Sequence, residues 1–160
     1  MKKMELTINP SDYKILVVDD NEFNVHLMDI LLTKEKYRII KAGSGIEALE
    51  KVRTDNPDLI LLDIMMPDMN GYEVMAKLKA DEEHKDIPVV LLTAVSTPDD
   101  IVKGFKLGAS DYITKPFSKE ELLIRINHQI SLIAAKNQIV KQNEELKNML
   151  EELNKNKSAK

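Results

Sequence analysis

Five short apolar runs, separated by longer stretches of helical period, limit this chain's possible folds more than any other feature. The runs are KILVV (14–18), YRIIKA (37–42), PDLILLDI (57–64), IPVVLLTA (87–94) and SDYIT (110–114). The third and fourth are almost unbroken in apolar residues, whereas a strand with one wet face would alternate. Strands buried on both faces belong to parallel sheets covered by helices on each side. The intervening segments carry helix signals. EFNVHLMDILLTKE repeats apolar residues at Val25, Met28, Leu31 and Leu32. Ser44 with Glu47, and Ser118 with Glu121, have capping-box spacing. Thr97 is placed to cap a helix whose first residue is Pro98. Five strands alternating with five helices imply right-handed crossovers and a doubly wound α/β sheet.

Such sheets bind ligands beyond the carboxyl ends of their strands. The first run ends in Asp19 and Asp20, the third in Asp63, the fourth in Thr93, and the fifth near Lys115. Three carboxylates, a hydroxyl and an ammonium therefore meet at one rim. Three carboxylates repel one another, and a hard divalent cation relieves the repulsion. Mg²⁺ takes carboxylate oxygens together with waters and a phosphate, and the set is too small for a closed Ca²⁺ cage. A carboxylate beside such a metal can act as a nucleophile and form an aspartyl phosphate. The hydroxyl and ammonium would contact the phosphoryl oxygens. Asp20 or Asn21 is also placed to cap the first helix.

Four segments in order, VVDDNE (17–22), LILLDIMMPDMNGYE (59–73), VVLLTA (89–94) and GASDYITKPF (108–117), make the chain resemble the receiver domains of two-component response regulators. The resemblance covers roughly Tyr13 to Gln129. It implies a flavodoxin-like, five-stranded parallel sheet in the order 2-1-3-4-5. It implies that Asp63 accepts a phosphoryl group from a phosphohistidine on a sensor histidine kinase or phosphotransfer protein. Asp20 would ligate Mg²⁺ directly, Asp19 mostly through water, and Met65 through its backbone carbonyl. Thr93 and Lys115 would contact the phosphoryl group, the Lys115–Pro116 peptide would be cis, and Tyr112 would follow Thr93 as an aromatic switch. The family uses the glycine of Asn70–Gly71, which reads first as a turn, to bend the loop after the acceptor. Ala94 is small, as access to the acceptor requires. Met65 and Val95 lie two residues past Asp63 and Thr93. Both are apolar and poorly suited to orient water, so slow loss of phosphate is expected.

Other features narrow the class. Net charge is −4 with no basic cluster, and no helix-turn-helix follows, so no direct nucleic-acid contact is expected. Cysteine is absent, which removes disulfides and thiolate metal sites. No apolar run approaches the ~20 residues of a bilayer span, and the start lacks a secretory pattern. A cytoplasmic protein without membrane contact is expected. His26 and His128 fall in helical segments and His84 in a charged loop; no histidine–carboxylate cluster suggests a transition-metal site, and all three read as solvated or packing residues.

Past Gln129 the chain has no glycine, proline or aromatic residue, and Leu132, Ile139, Leu146 and Leu153 recur every seven residues. Lys136, Asn143 and Leu150 would form the companion seam of a coiled coil, in which a core Asn fixes register. The expected organisation is an N-terminal tail (1–12), a receiver (13–129) and a helical extension (130–160). The resemblance implies homodimerisation through the fourth helix, fifth strand and fifth helix, to which this extension would add. Phosphate accepted on the protein itself would not make it an enzyme. Two alternatives stand beside the receiver: an aspartyl-phosphate phosphohydrolase, and a dimerisation module that is never phosphorylated.

Overall fold

The computed structural model describes residues 6–94 and 97–159. A 3-10 turn, Pro10–Asp12, leads into β1 (Lys14–Val18), α1 (Glu22–Lys34), β2 (Arg38–Ala42), α2 (Gly45–Asp55) and β3 (Leu59–Asp63). There follow α3 (Gly71–Ala80), β4 (Val89–Thr93), α4 (Pro98–Lys106), β5 (Asp111–Thr114) and α5 (Lys119–Ser158). The sheet is parallel throughout, in the order β2-β1-β3-β4-β5, as expected. No helix among the described residues is long and apolar enough to cross a membrane.

Alternation along each strand divides the core into two layers. Leu16, Val18, Ile60, Leu62, Val89 and Leu91 face α2 and α3, where Ala48, Val52, Val74 and Met75 meet them. Ile15, Val17, Leu59, Leu61, Val90 and Leu92 face α1 and α5, against Met28, Leu32, Leu122 and Ile126. All five residues of β3 and of β4 are buried, and each fully buried Leu, Ile or Val contributes about 1.5–3 kcal/mol. That two-sided burial explains why the sequence runs are continuous rather than alternating.

The ladder is shorter than the runs, because proline lacks the donor a ladder needs. β3 starts at Leu59, after Pro57, and β4 at Val89, where Pro88 contributes only its carbonyl, to the Ile60 N–H at 3.1 Å. Ser44, Thr97 and Ser118 cap α2, α4 and α5 through their side chains. Glu47 reaches back to the N–H of Gly43, not Ser44, at 2.9 Å. Asn70–Gly71 is not a free turn. The Asn70 side chain caps α3 by accepting from the Glu73 N–H, and Gly71 is the first helical residue. Its glycine is required by crowding: a Cβ there would lie 2.6 Å from the Asp63 carbonyl oxygen and 2.8 Å from Ile64 Cα.

The fifth helix runs unbroken for 40 residues. Its last buried side chain is Ala134, so the core extends somewhat past Gln129 before the helix leaves it. His84 is buried, with Nδ1 2.7 Å from the Asp81 carboxylate and Nε2 without a partner among the described residues, while His26 and His128 are exposed.

Candidate functional site

Strand register builds the rim. Val18 pairs with Leu62 and Asp63 with Leu92, so Asp19 and Asp63 emerge side by side from the two central strands. Thr93 pairs with Thr114, which brings Lys115 round from β5. Carboxylate oxygens of Asp19, Asp20 and Asp63 all lie within 4.8 Å of one another. The Lys115 ammonium stands 2.7 Å from Asp19 Oδ2 and 3.3 Å from Asp63 Oδ1. The Lys115–Pro116 peptide is cis. Thr93 is buried at the end of β4, and its carbonyl accepts from the Lys115 N–H at 2.7 Å. Thr93 and Tyr112 line one apolar recess under α4 with Ile64, Leu91 and Phe105. The Tyr112 ring meets Phe105 edge-on at 5.8 Å. The Met65 side chain is 65 % exposed. Val95 lies outside the described residues, as do residues 1–5 of the N-terminal tail.

The two buried acids are not equivalent. Asp19, 1 % exposed, accepts from the Asn21 N–H (3.0 Å), Asn24 Nδ2 (3.1 Å) and Lys115 Nζ (2.7 Å). Three donors satisfy most of an ionised carboxylate's capacity. Asp63, 4 % exposed, has the more distant Lys115 and the Met65 N–H. Burial, then the charge of Asp19, push its pKa up to about 6 against the opposing pull of Lys115 and the Met65 N–H. Burial would lower the Lys115 pKa, but its hydrogen bond to Asp19 and the charges of Asp63 and Asp19 outweigh this and raise it. Of the two buried acids, Asp63 is thus the less provided for by the protein and the one with more lone pairs left to react.

The sequence does not single out Asn21 and Asn24 as site residues, apart from Asn21 as a possible cap. Asn21 caps α1 by accepting from the N–H groups of Phe23 and Asn24. That role leaves the exposed Asp20 at the mouth of the site. Asn24, on the first turn of α1, anchors Asp19 from the side. The readable signal is its spacing, five residues after Asp19 and just inside the helix start.

The donor set suits a small hard cation. Three carboxylates face one ammonium, every ligand atom is an oxygen, and the Asp63 carboxylate is destabilised as an anion without further positive charge. The arrangement presents an anionic oxygen, a nearby ammonium and a buried hydroxyl at one mouth, the set needed to receive a group bearing several negative oxygens.

The family model described as the response regulator receiver domain matches residues 15–127. The response regulator PleD of Caulobacter vibrioides is 47 % identical over 113 residues, covering 71 % of this chain and 25 % of that protein. The alkaline phosphatase synthesis transcriptional regulatory protein PhoP of Bacillus subtilis is 42 % identical over 135 residues, covering 84 % of this chain and 54 % of that one. Among solved structures, the chemotaxis protein CheY4 of Vibrio cholerae superposes with a TM-score of 0.70 at 30 % identity, covering 72 % of this chain and 97 % of that one. The chain therefore spans from a quarter to about half of these two curated relatives, but nearly all of the solved domain.

Proposed function

The chain belongs to the response regulator receiver domain family, and on that premise we propose that Asp63 accepts a phosphoryl group from a phosphohistidine on a sensor histidine kinase or phosphotransfer protein. The observation that carries this is the pairing of an under-satisfied Asp63 carboxylate with the Lys115 ammonium at 3.3 Å, at the carboxyl end of the central strand. In the transfer, an Asp63 oxygen forms a bond to phosphorus as the phosphohistidine N–P bond breaks. The departing imidazole keeps the electron pair of that bond and takes up a proton. Lys115 balances the charge on the transferred oxygens, and the Thr93 hydroxyl donates to one of them. Mg²⁺, held by Asp20, Asp63 and the Met65 carbonyl, with Asp19 through water, would neutralise further phosphoryl charge. The group moves onto the protein itself and no external substrate turns over, so the activity is self-catalysed acceptance rather than enzymatic turnover.

Esterification moves the negative charge from the Asp63 carboxylate to the phosphoryl oxygens, so Lys115 turns to pair with them and Thr93 is drawn toward them. Tyr112, in the same recess, responds to the space Thr93 leaves. That recess lies under α4, whose single buried residue is Gly104. The α4–β5–α5 face is therefore the mobile surface of the switch, and a second copy of the chain is its partner. The α5 extension favours such pairing: Leu132, Ile139, Leu146 and Leu153 are each more than half exposed along one side. Residues 13–129 act as the receiver and 130–160 as a coiled-coil linker or dimerisation segment, in a cytoplasmic setting where the kinase domain is accessible. Treatment with acetyl phosphate and Mg²⁺, read by intact mass, tests the acceptor. One phosphoryl group should add to the native chain and none to Asp63→Asn. No addition, or addition to the variant, would overturn the assignment.

A further inference from the structure

The N-terminal arm has a place in the fold that the receiver chemistry does not use. Its root is fixed. Asn9 accepts from Ser11 and starts the 3-10 turn, and the Asp12 carbonyl accepts from the Arg38 guanidinium at 3.3 Å. Ile8 packs on the core layer that contains Leu122, Ile126 and Ile130 of α5. Beyond this, Leu6 and Thr7 run out along α5 itself. They share a groove with Asn137, Gln138, Lys141, Gln142 and Glu145, all past Ala134, where the helix has left the core. Gln138 is half-buried there, whereas every described α5 residue after it is exposed. Leu6 is itself still exposed, at 38 %.

The side of the helix that lines this groove is not the heptad side. At about 100° per residue, the groove residues centre roughly 130° round the helix from Leu132, Ile139, Leu146 and Leu153. The arm and a second copy can therefore occupy the extension together.

We infer that residues 6–8 brace the α5 extension against the receiver body, fixing the direction in which the helix leaves the core and the side on which its apolar stripe faces. An unsupported helix joins the body through one covalent connection and the packing of one face. The arm supplies a second, non-covalent attachment two turns further out. Rotating the stripe away from its present side would carry Gln138 and Lys141 out of the groove they line with Leu6 and Thr7. This goes beyond the phosphoacceptor reading and does not depend on whether Asp63 is ever phosphorylated.

Hydrogen–deuterium exchange on the full chain, at a dilution where sedimentation shows monomer, tests the brace. Leu6→Asp places a charge in the groove, and Leu6→Met keeps an apolar side chain of similar volume. Leu6→Asp should speed amide exchange across residues 137–145 by about tenfold, since local opening there would no longer need to break the arm contacts, while the strands and residues 119–134 keep native exchange. Leu6→Met should restore native exchange in 137–145. Exchange in 137–145 that is unchanged in Leu6→Asp, or acceleration spread evenly over all of α5, would overturn the inference.

Discussion

Replacing the acceptor carboxylate by an amide should stabilise the metal-free protein, and by an amount that depends on pH. Asp63 has a folded pKa of about 6, raised from 3.8 by burial and by Asp19. The folded state thus holds the Asp63 proton more firmly than the unfolded chain does. That contribution is fully present below about pH 4 and is lost as pH rises through about 6. Above that, the ionised carboxylate penalises folding by about 3 kcal/mol, one pH unit being worth about 1.4 kcal/mol. Asp63 is 4 % exposed, so solvent does little to screen this. The substituted amide carries no charge at any pH, while its carbonyl oxygen can still accept from Lys115. Asp63→Asn in EDTA should therefore be more stable than the native chain by about 1–3 kcal/mol near pH 8, and by nearly nothing near pH 4. For a chain of this length that is a rise of roughly 3–10 °C in Tm. Urea unfolding followed by circular dichroism at both pH values measures it. Mg²⁺ should then raise the stability of the native chain and change that of the variant much less. A stability difference that is the same at both pH values, or a variant less stable than the native chain near pH 8, would refute the account of Asp63 as an under-satisfied buried anion.

The same geometry sets four further outcomes. Lys115→Met removes the cation between two buried acids, so the Asp63 pKa should rise above about 6 in a carboxyl NMR titration, with a stability loss of about 3 kcal/mol near neutral pH. Gly71→Ala places a methyl 2.6 Å from the Asp63 carbonyl oxygen. Backbone must shift to admit it, which should lower stability by about 1–3 kcal/mol and slow phosphorylation by acetyl phosphate. Met65→Asn gives the exposed position beside the acceptor a group that can orient water, so aspartyl phosphate should disappear faster in a time course of intact mass. Ile139→Asp, in the centre of the exposed stripe, should reduce self-association in sedimentation velocity and leave phosphorylation of Asp63 unchanged.

Much of the fold is legible because burial on both sheet faces leaves a strong trace: LILL and VVLL admit few other placements. Strand ends are less legible. Whether Pro57 or Pro88 joins the ladder depends on which carbonyl and donor face each other across the sheet, and that is a property of register. At the site, the types of residue are readable from their positions at strand ends, but their inequality is not. Asp19 is satisfied because α1 folds back to offer the Asn21 N–H and the Asn24 amide, and Asp63 is not. Nothing in the string DDNEFN states which carboxylate those donors will choose. Asn70–Gly71 misleads for a similar reason: the dipeptide signals a turn, while here the two residues cap and begin a helix pressed against the Asp63 backbone. His84 reads as either solvated or packing, and the sequence alone does not choose; the chain folds it inward onto Asp81. The arm along α5 joins residues more than a hundred positions apart, and no local pattern announces it.

The unbroken α5 also has a mechanical meaning. From Ala134 to Ser158 it projects about 36 Å at 1.5 Å per residue, a stiff lever pivoted at the sheet edge that carries Lys115. A tilt of about 5° at the pivot sweeps the far tip through an arc of about 3 Å, two residues' worth of helical rise. Movements too small to disturb the core would thus arrive at the distal end large enough to change which side chains of two adjoining rods interlock.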